Sequence, residues 1–412
     1  MTDHVFDYVS GEETAPREAR NGLRHILALT ASKLSDGLID PKLILSWLAT
    51  SLGAPAVLVG LLVPIREAGA LLPQILLSGW MGRMRQRRYF WVAGALGQGI
   101  CAGLIVLIAL TLSGWAAGLA LCGALAGLAL SRAACSVSYK DILGKTIGKS
   151  RRGSVTGAAG SLSSAGVIVL GLLLLSGVLR DAGAVIAAIA LAACLWIAAG
   201  ALLSRLEEED STPATDGRPD FSPLWQDRQL QRFILVRGLL VPTALAPPYL
   251  VLLAGGDDGL ALDRLGVLVL VSAAASFLSS YAWGRLADHS SRWVLVLTGG
   301  IGALAMLGAV GAAVLGLAQG SWAVPLALFV LMLAYHGVRQ GRSTYLVDMA
   351  PADQRATYAA LANTAIGTLL LLAGATGGLA ALVGPSAALI FFAALCIGAC
   401  LLALGLDEVE RS

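Results

Sequence analysis

Charge is scarce in this chain. Lysine, arginine, aspartate and glutamate make up 13% of 412 residues, about half the ~25% usual for a soluble domain. With 57% hydrophobic residues and a mean hydropathy of +0.77, that scarcity excludes a water-solvated fold and makes lipid the default solvent. Aromatics are few as well, at 6%, which argues against the aromatic-lined cavity of a multidrug exporter. The six cysteines (Cys101, Cys122, Cys135, Cys194, Cys396 and Cys400) all lie within apolar blocks. They show neither metal-ligand spacing nor a disulfide framework, so they read as small apolar packers. No P-loop of the form G-x-x-x-x-G-K-[S/T] appears, which argues against ATP-driven transport, and neither H-E-x-x-H nor G-x-S-x-G is present. The expectation is therefore no enzyme, no cofactor and no metal. The first twenty residues are mixed polar, with no apolar signal-peptide core. The basic loops are short and flank apolar blocks, so membrane topology explains them better than nucleic acid does.

What the chain does have is a series of long apolar blocks. A bilayer crossing needs about 20 apolar residues, and on that basis twelve spans follow. Six lie near 23–52, 54–80, 89–112, 115–138, 153–177 and 182–203. Six more lie near 233–254, 265–286, 293–317, 322–345, 357–383 and 385–406. Between the sets runs a polar stretch, 205–231, holding Glu207, Glu208, Glu209, Asp210, Pro213, Gly217 and Pro219; by composition it is a linker. The expected division is a tail over 1–22, a six-helix half over 23–204, the linker 205–231, a second half over 232–406 and a tail over 407–412. A pattern repeats across the halves: Arg132-xxx-Ser136-xxxx-Asp141 returns as Arg339-xxx-Ser343-xxxx-Asp348. Alternate loops carry the cations, with Arg83, Arg85, Arg87, Arg88, Lys140, Lys145, Lys149, Arg151, Arg152, Arg285, Arg292 and Arg355 on one side. The positive-inside rule then places those loops, the linker and both termini in the cytoplasm of an inner or plasma membrane.

Twelve spans, a six-plus-six division and a central linker resemble the major facilitator superfamily. That family carries a loop G-x-x-x-D-(R/K)-x-G-(R/K)-(R/K) between spans two and three, often echoed between spans eight and nine. Here the echo is the better match, Gly284-Arg285-Leu286-Ala287-Asp288-His289-Ser290-Ser291-Arg292. The first copy, from Gly79 to Arg88, keeps the leading glycine and the basic tail but has Arg83 where the family has Asp. The resemblance implies an all-α membrane fold of twelve helices in two pseudo-symmetric halves. It also implies a secondary transporter working by alternating access around a midplane site, with a single chain as the functional unit. A cytoplasmic gate is expected at Gly284, Asp288, Arg292, Arg83, Arg132, Asp141, Asp348 and Arg355, where Asp288 would face the start of span five and Arg151 or Arg152.

Ionisable groups at mid-membrane are costly, from about 2.5 kcal/mol upward, so they usually face a cavity or a partner. Span one carries Lys33, Asp36 and Asp40 on one helix face at i, i+3 and i+7, with Lys42 off that face and Pro41 interrupting the helix. Either the face lines a cavity or Lys33 neutralises Asp36 as a packing pair. Span two carries Arg66 and Glu67, about 100° apart on the helix, so one is expected to face the cavity and the other a neighbouring helix. Gln74 follows one Pro later. The second half supplies cations without deep acids: Arg237, His336, Arg339 and Arg342, with His336 either a titrating group or a packed polar residue. Arginines facing a cavity without acidic partners attract a carboxylate or phosphate. The expected function is transport of a small, anionic organic solute, with proton coupling through Glu67, Asp36 and Asp40 and with Arg66, Lys33, Gln74, Arg237, His336 and Arg339 as solute ligands. The rivals are a drug or metabolite efflux antiporter and a non-transporting assembly factor or receptor. The partners expected are a small-molecule substrate and membrane lipid, and no nucleic acid.

Overall fold

A computed structural model describes residues 15–148, 151–176, 182–210, 222–255, 261–320, 322–350, 355–380 and 382–409. Among them there is no strand. Eleven helical stretches are long and apolar enough to cross a membrane. The twelfth crossing is the first, and it is made of two pieces, Pro16–Leu38 and Ile44–Ser51. Pro41 cannot extend the first piece, because a proline lacks the N–H that an α-helix needs and clashes with the preceding turn. The chain therefore unwinds over 39–43 and restarts.

Two further crossings are broken for the same reason. Span two is Ala56–Leu71 followed by Gln74–Gly82, with Pro64 inside the first piece and Pro73 at the joint. Span seven is Arg228–Leu239, Pro242–Leu245 and Pro247–Gly255. The other crossings are single helices. Spans three to six are Arg88–Thr111, Gly114–Thr146, Arg152–Leu175 and Ala182–Ser204. Spans eight to twelve are Leu262–His289, Ser291–Val314, Ala323–Met349, Arg355–Ala380 and Pro385–Ala403.

The packing is symmetric about the chain's midpoint. Span three lies against spans four and six, and span nine lies against ten and twelve. Span two packs on span four, and span eight on span ten. The two sets of six meet chiefly along two seams, span two on span eleven and span five on span eight. Each seam is again the mate of the other. Glycines bring the backbones together there. A Cβ at Gly266 would lie 2.6 Å from the Leu175 amide and 3.0 Å from the Gly171 carbonyl, while one at Gly374 would run into Pro64.

The described ends, at 15 and 409, lie at one face of the bundle, here the terminal face, as an even number of crossings requires: Arg17 meets Glu207 and Glu209 past span six, and Glu408 meets Arg292 at the start of span nine. A belt of exposed apolar side chains, among them Ile100, Leu107, Leu304, Leu372 and Leu401, covers the outside, as a lipid-facing surface must. The buried interior holds Trp91, Trp196, Tyr249 and Tyr345.

Several helices outrun their apolar blocks. Span four continues to Thr146 rather than ending near 138, and span ten continues to Met349. Asp141, Lys145 and Asp348 thus sit on helix rather than in loops. A helix needs apolar side chains only through the hydrocarbon, and beyond it polar residues of adequate helix propensity carry the helix on.

Candidate functional site

Span one's break sets the geometry of the charges around it. Asp36 lies on the last turn before the break, and both its oxygens are engaged. Arg66 Nη2 donates to Oδ1 at 2.6 Å, and Arg132 Nη1 lies 2.5 Å from Oδ2. Lys42, on the unwound segment, is turned back against span two, where its Nζ lies 3.2 Å from Glu67 Oε1 and 4.0 Å from Asp40 Oδ1. The same ammonium sits 4.8 Å from the centre of the Tyr335 ring on span ten, a cation–π contact that joins the two halves. Lys42 is 7% exposed, so these partners replace its water. Lys33 donates to the Thr156 carbonyl on span five at 3.2 Å.

These groups border a cavity of about 1040 Å³ at mid-bundle, lined by spans one, five, eight and ten. Lys33, Asp36, Asp40, Lys42, Tyr335, His336 and Arg339 form one wall, and Ser161, Ser164, Ser272 and Ser276 are among the rest. Towards the face away from the termini, the Gly171 and Gly266 backbones close the gap between spans five and eight. A shallower cleft of about 670 Å³ at the terminal face, lined by Asp227, Arg228, Arg232, Tyr358 and Asp407, is separate from it.

The structure brings together five of the residues singled out in the sequence as Lys33, Asp36, Asp40, His336 and Arg339. Arg66 and Glu67 stand behind span one instead and hold Asp36 and Lys42. The expectation that only one of the pair would reach a neighbouring helix is corrected. Both reach span one, because Asp36 lies on the last turn before its break and Lys42 within the break, turned back to span two. Lys33 does not neutralise Asp36, which is bound by two arginines. Gln74 and Arg237 are in a separate polar chain: Arg237 donates to Asn363 Oδ1 at 3.0 Å, and Asn363 donates to Gln74 Oε1 at 3.4 Å. Arg132, grouped with the gate in the sequence, lies on Asp36, and span four runs on past it to Thr146.

The terminal face carries its own ion pairs. Arg87 Nη1 donates to Asp141 at 2.6 Å, and Lys145 Nζ lies 2.5 Å from the other oxygen of Asp141. Glu208, its side chain fully buried, accepts from the backbone N–H groups of Arg87 and Arg88 at 3.1 and 2.8 Å. In the second half Glu408 does the corresponding work, 2.9 Å from Arg292 and accepting from Ser290 Oγ at 2.8 Å. Arg83 is exposed at the end of span two, and Asp348 is exposed on span ten. Gly284, Asp288 and Arg355 are on helices, and the surroundings of all three lie outside what is described.

Sequence reasoning gave no site role to Lys42, Tyr335, Asn363, Arg87, Glu208 or Glu408. Lys42 had a signal: a cation directly after a mid-span proline cannot be placed by helical periodicity. Glu208 and Glu408 had one too, as carboxylates just past the sixth and twelfth spans.

No protein-family profile matches the chain, and no curated protein matches it in sequence. Solved structures do match in shape. The nucleoside transporter NupG superposes with a TM-score of 0.73 at 11% identity, covering 94% of this chain and 100% of that one. The POT family transporter PepTSo gives 0.71 at 12% identity, covering 95% and 98%. A D-xylose-proton symporter gives 0.66 at 11% identity, covering 96% and 98%. The chain is a multi-pass membrane protein with the twelve-helix major facilitator fold.

Proposed function

We propose that the chain is a secondary transporter that moves a small anionic organic solute by alternating access through the cavity between spans one, five, eight and ten. The observation that carries this reading is the charge at that cavity and immediately behind it. Six cations, Lys33, Lys42, Arg66, Arg132, Arg339 and Arg342, stand against three carboxylates, Asp36, Asp40 and Glu67. Asp36 is saturated by two arginines, and Lys42 is shared by Asp40 and Glu67. Among the described residues, neither Lys33 nor Arg339 has a carboxylate within 4.0 Å. Cations left so at mid-membrane favour an anion that supplies the missing charge.

Proton coupling rests on Lys42. Protonating Glu67 removes its hold on the ammonium, and Lys42 then turns to Asp40 alone. Because Lys42 also touches Tyr335 of the other half, that change bears on how the halves meet. A role for Arg237 and Gln74 as solute ligands is supported less, since they lie in the Asn363 chain apart from this cavity. The terminal face is taken as cytoplasmic, in an inner membrane, with the chain acting as a monomer.

The test is uptake of radiolabelled mono- and dicarboxylates into proteoliposomes with an imposed pH gradient. Glu67→Gln is expected to abolish gradient-driven accumulation while solute exchange at equal pH continues. If Glu67→Gln accumulates solute as the parent does, Glu67 is not the coupling group. If the protein carries only neutral or cationic solutes, the anion reading fails.

A further inference from the structure

The cavity's charge lies on one side only. Lys33 and Arg339 approach it from opposite halves, and spans five and eight supply an uncharged lining, Ile168, Val269, Ala273, Phe277 and Leu278 beside the serines already named. Three of these apolar residues also belong to the outer surface of the bundle. Phe277 is 82% exposed, Leu278 56% and Ile168 39%. A residue that lines a cavity and also faces the lipid marks a place where the cavity opens sideways.

The opening lies between spans five and eight, which part on the terminal side of the Gly171–Gly266 contact. Span five presents almost no side chain there. A Cβ at Gly157 would meet nothing within 4 Å, and one at Gly160 would meet only the Lys33 ammonium, at 3.5 Å. Ser164 and Ala165 line the cavity and are themselves exposed. The wall is thus thin and small-sided where it meets the hydrocarbon, and the cationic pole stands behind it.

From this arrangement we infer that the solute is a single-chain anionic amphiphile, held by its carboxylate or phosphate between Lys33 and Arg339, with its alkyl chain lying out through the gap between spans five and eight. A small hydrophilic anion has no use for the apolar side chains of the cavity or for an opening onto lipid. An alkyl chain uses both, and a head group that must stay charged finds its counter-charges at mid-depth without leaving them. The inference rests on the anionic reading proposed above and narrows it.

The test is equilibrium binding to the full-length protein in nanodiscs, with n-alkyl phosphates and n-alkyl carboxylates from two to twelve carbons as probes, counted above binding to empty nanodiscs. Affinity is expected to rise up to about fourfold per added methylene, as burial of a CH₂ implies. Lys33→Ala with Arg339→Gln is expected to weaken every member of both series by at least tenfold. Ser164→Trp with Ala273→Trp, which fills the opening, is expected to remove the gain with chain length. Short and long probes binding equally would overturn the amphiphile and leave the anion site standing. Chain-length-dependent binding that Lys33→Ala with Arg339→Gln does not alter would overturn both. A preference for alkyl phosphates over carboxylates would assign the head group to phospholipid-like donors, and the reverse to free fatty acids. Size-exclusion profiles and melting points of the variants identify any that fail to fold.

Discussion

Asp36 accepts from Arg66 through one oxygen and faces Arg132 with the other, joining spans one, two and four. Its side chain is 21% exposed, so water screens it little, and among the described residues the two arginines have no other carboxylate within salt-bridge distance. Removing the charge leaves two cations facing each other, which in buried networks costs about 3 kcal/mol or more. Asp36→Asn is therefore expected to lower the melting temperature of the purified protein clearly. Adding Arg132→Gln to Asp36→Asn is expected to recover about half of the loss, because one of the two repelling charges is gone. An Asp36→Asn protein that melts with the parent would show that this node does not stabilise the fold. The charges themselves were legible in the sequence, since an aspartate and an arginine in the middle of apolar blocks stand out against the cost of burying them. Their pairing was not, because it depends on where span one breaks and on how far span four extends, and neither follows from apolar periodicity.

Elements repeat more faithfully than residues. Glu208 follows the sixth crossing and caps the start of the third, and Glu408 follows the twelfth and bonds the start of the ninth. In each half a carboxylate just beyond the last helix is drawn to the positive N-terminus of the third. The settings differ in burial. Glu208 is fully buried on two backbone amides, whereas Glu408 and its partner Arg292 are 24% and 23% exposed. A buried carboxylate on two donors is worth about 2 kcal/mol, and a partly solvated one nearer 1. Glu208→Gln is expected to destabilise the protein more than Glu408→Gln does, by roughly a factor of two in free energy, measured by denaturant or thermal unfolding in detergent. Equal losses would mean that burial does not set the difference. The apolar blocks gave away the twelve crossings and their two-fold repeat, and prolines 41, 73, 242 and 247 marked where crossings break. What stayed hidden was the polar tail beyond each half, since a linker composition says nothing of the helix end on which a single glutamate will sit.

At the scale of the whole molecule, the two seams between the halves decide how they can move. Spans five and eight touch at Gly171 and Gly266 on the side away from the termini and part around the cavity on the terminal side. Span five is 24 residues long, about 36 Å at 1.5 Å per residue, so a pivot near its middle turns a small spread at one end into a matching approach at the other. Gly266→Leu tests this directly. Its Cβ would stand 2.6 Å from the Leu175 amide and 3.0 Å from the Gly171 carbonyl, and backbone on both sides cannot step aside as a flexible side chain would. The expected outcome is separation of the far ends, read as a longer distance between spin labels at Ser176 and Leu262. If the halves rock as rigid bodies, labels at Ser154 and Leu286, on the terminal side of the same two helices, move closer in the same variant. Lengthening at the far end with no change at the terminal end would mean that the helices bend rather than rock. The cavity would then open to both sides at once, which the proposed transport cycle cannot tolerate, because solute would leak back as fast as it was accumulated.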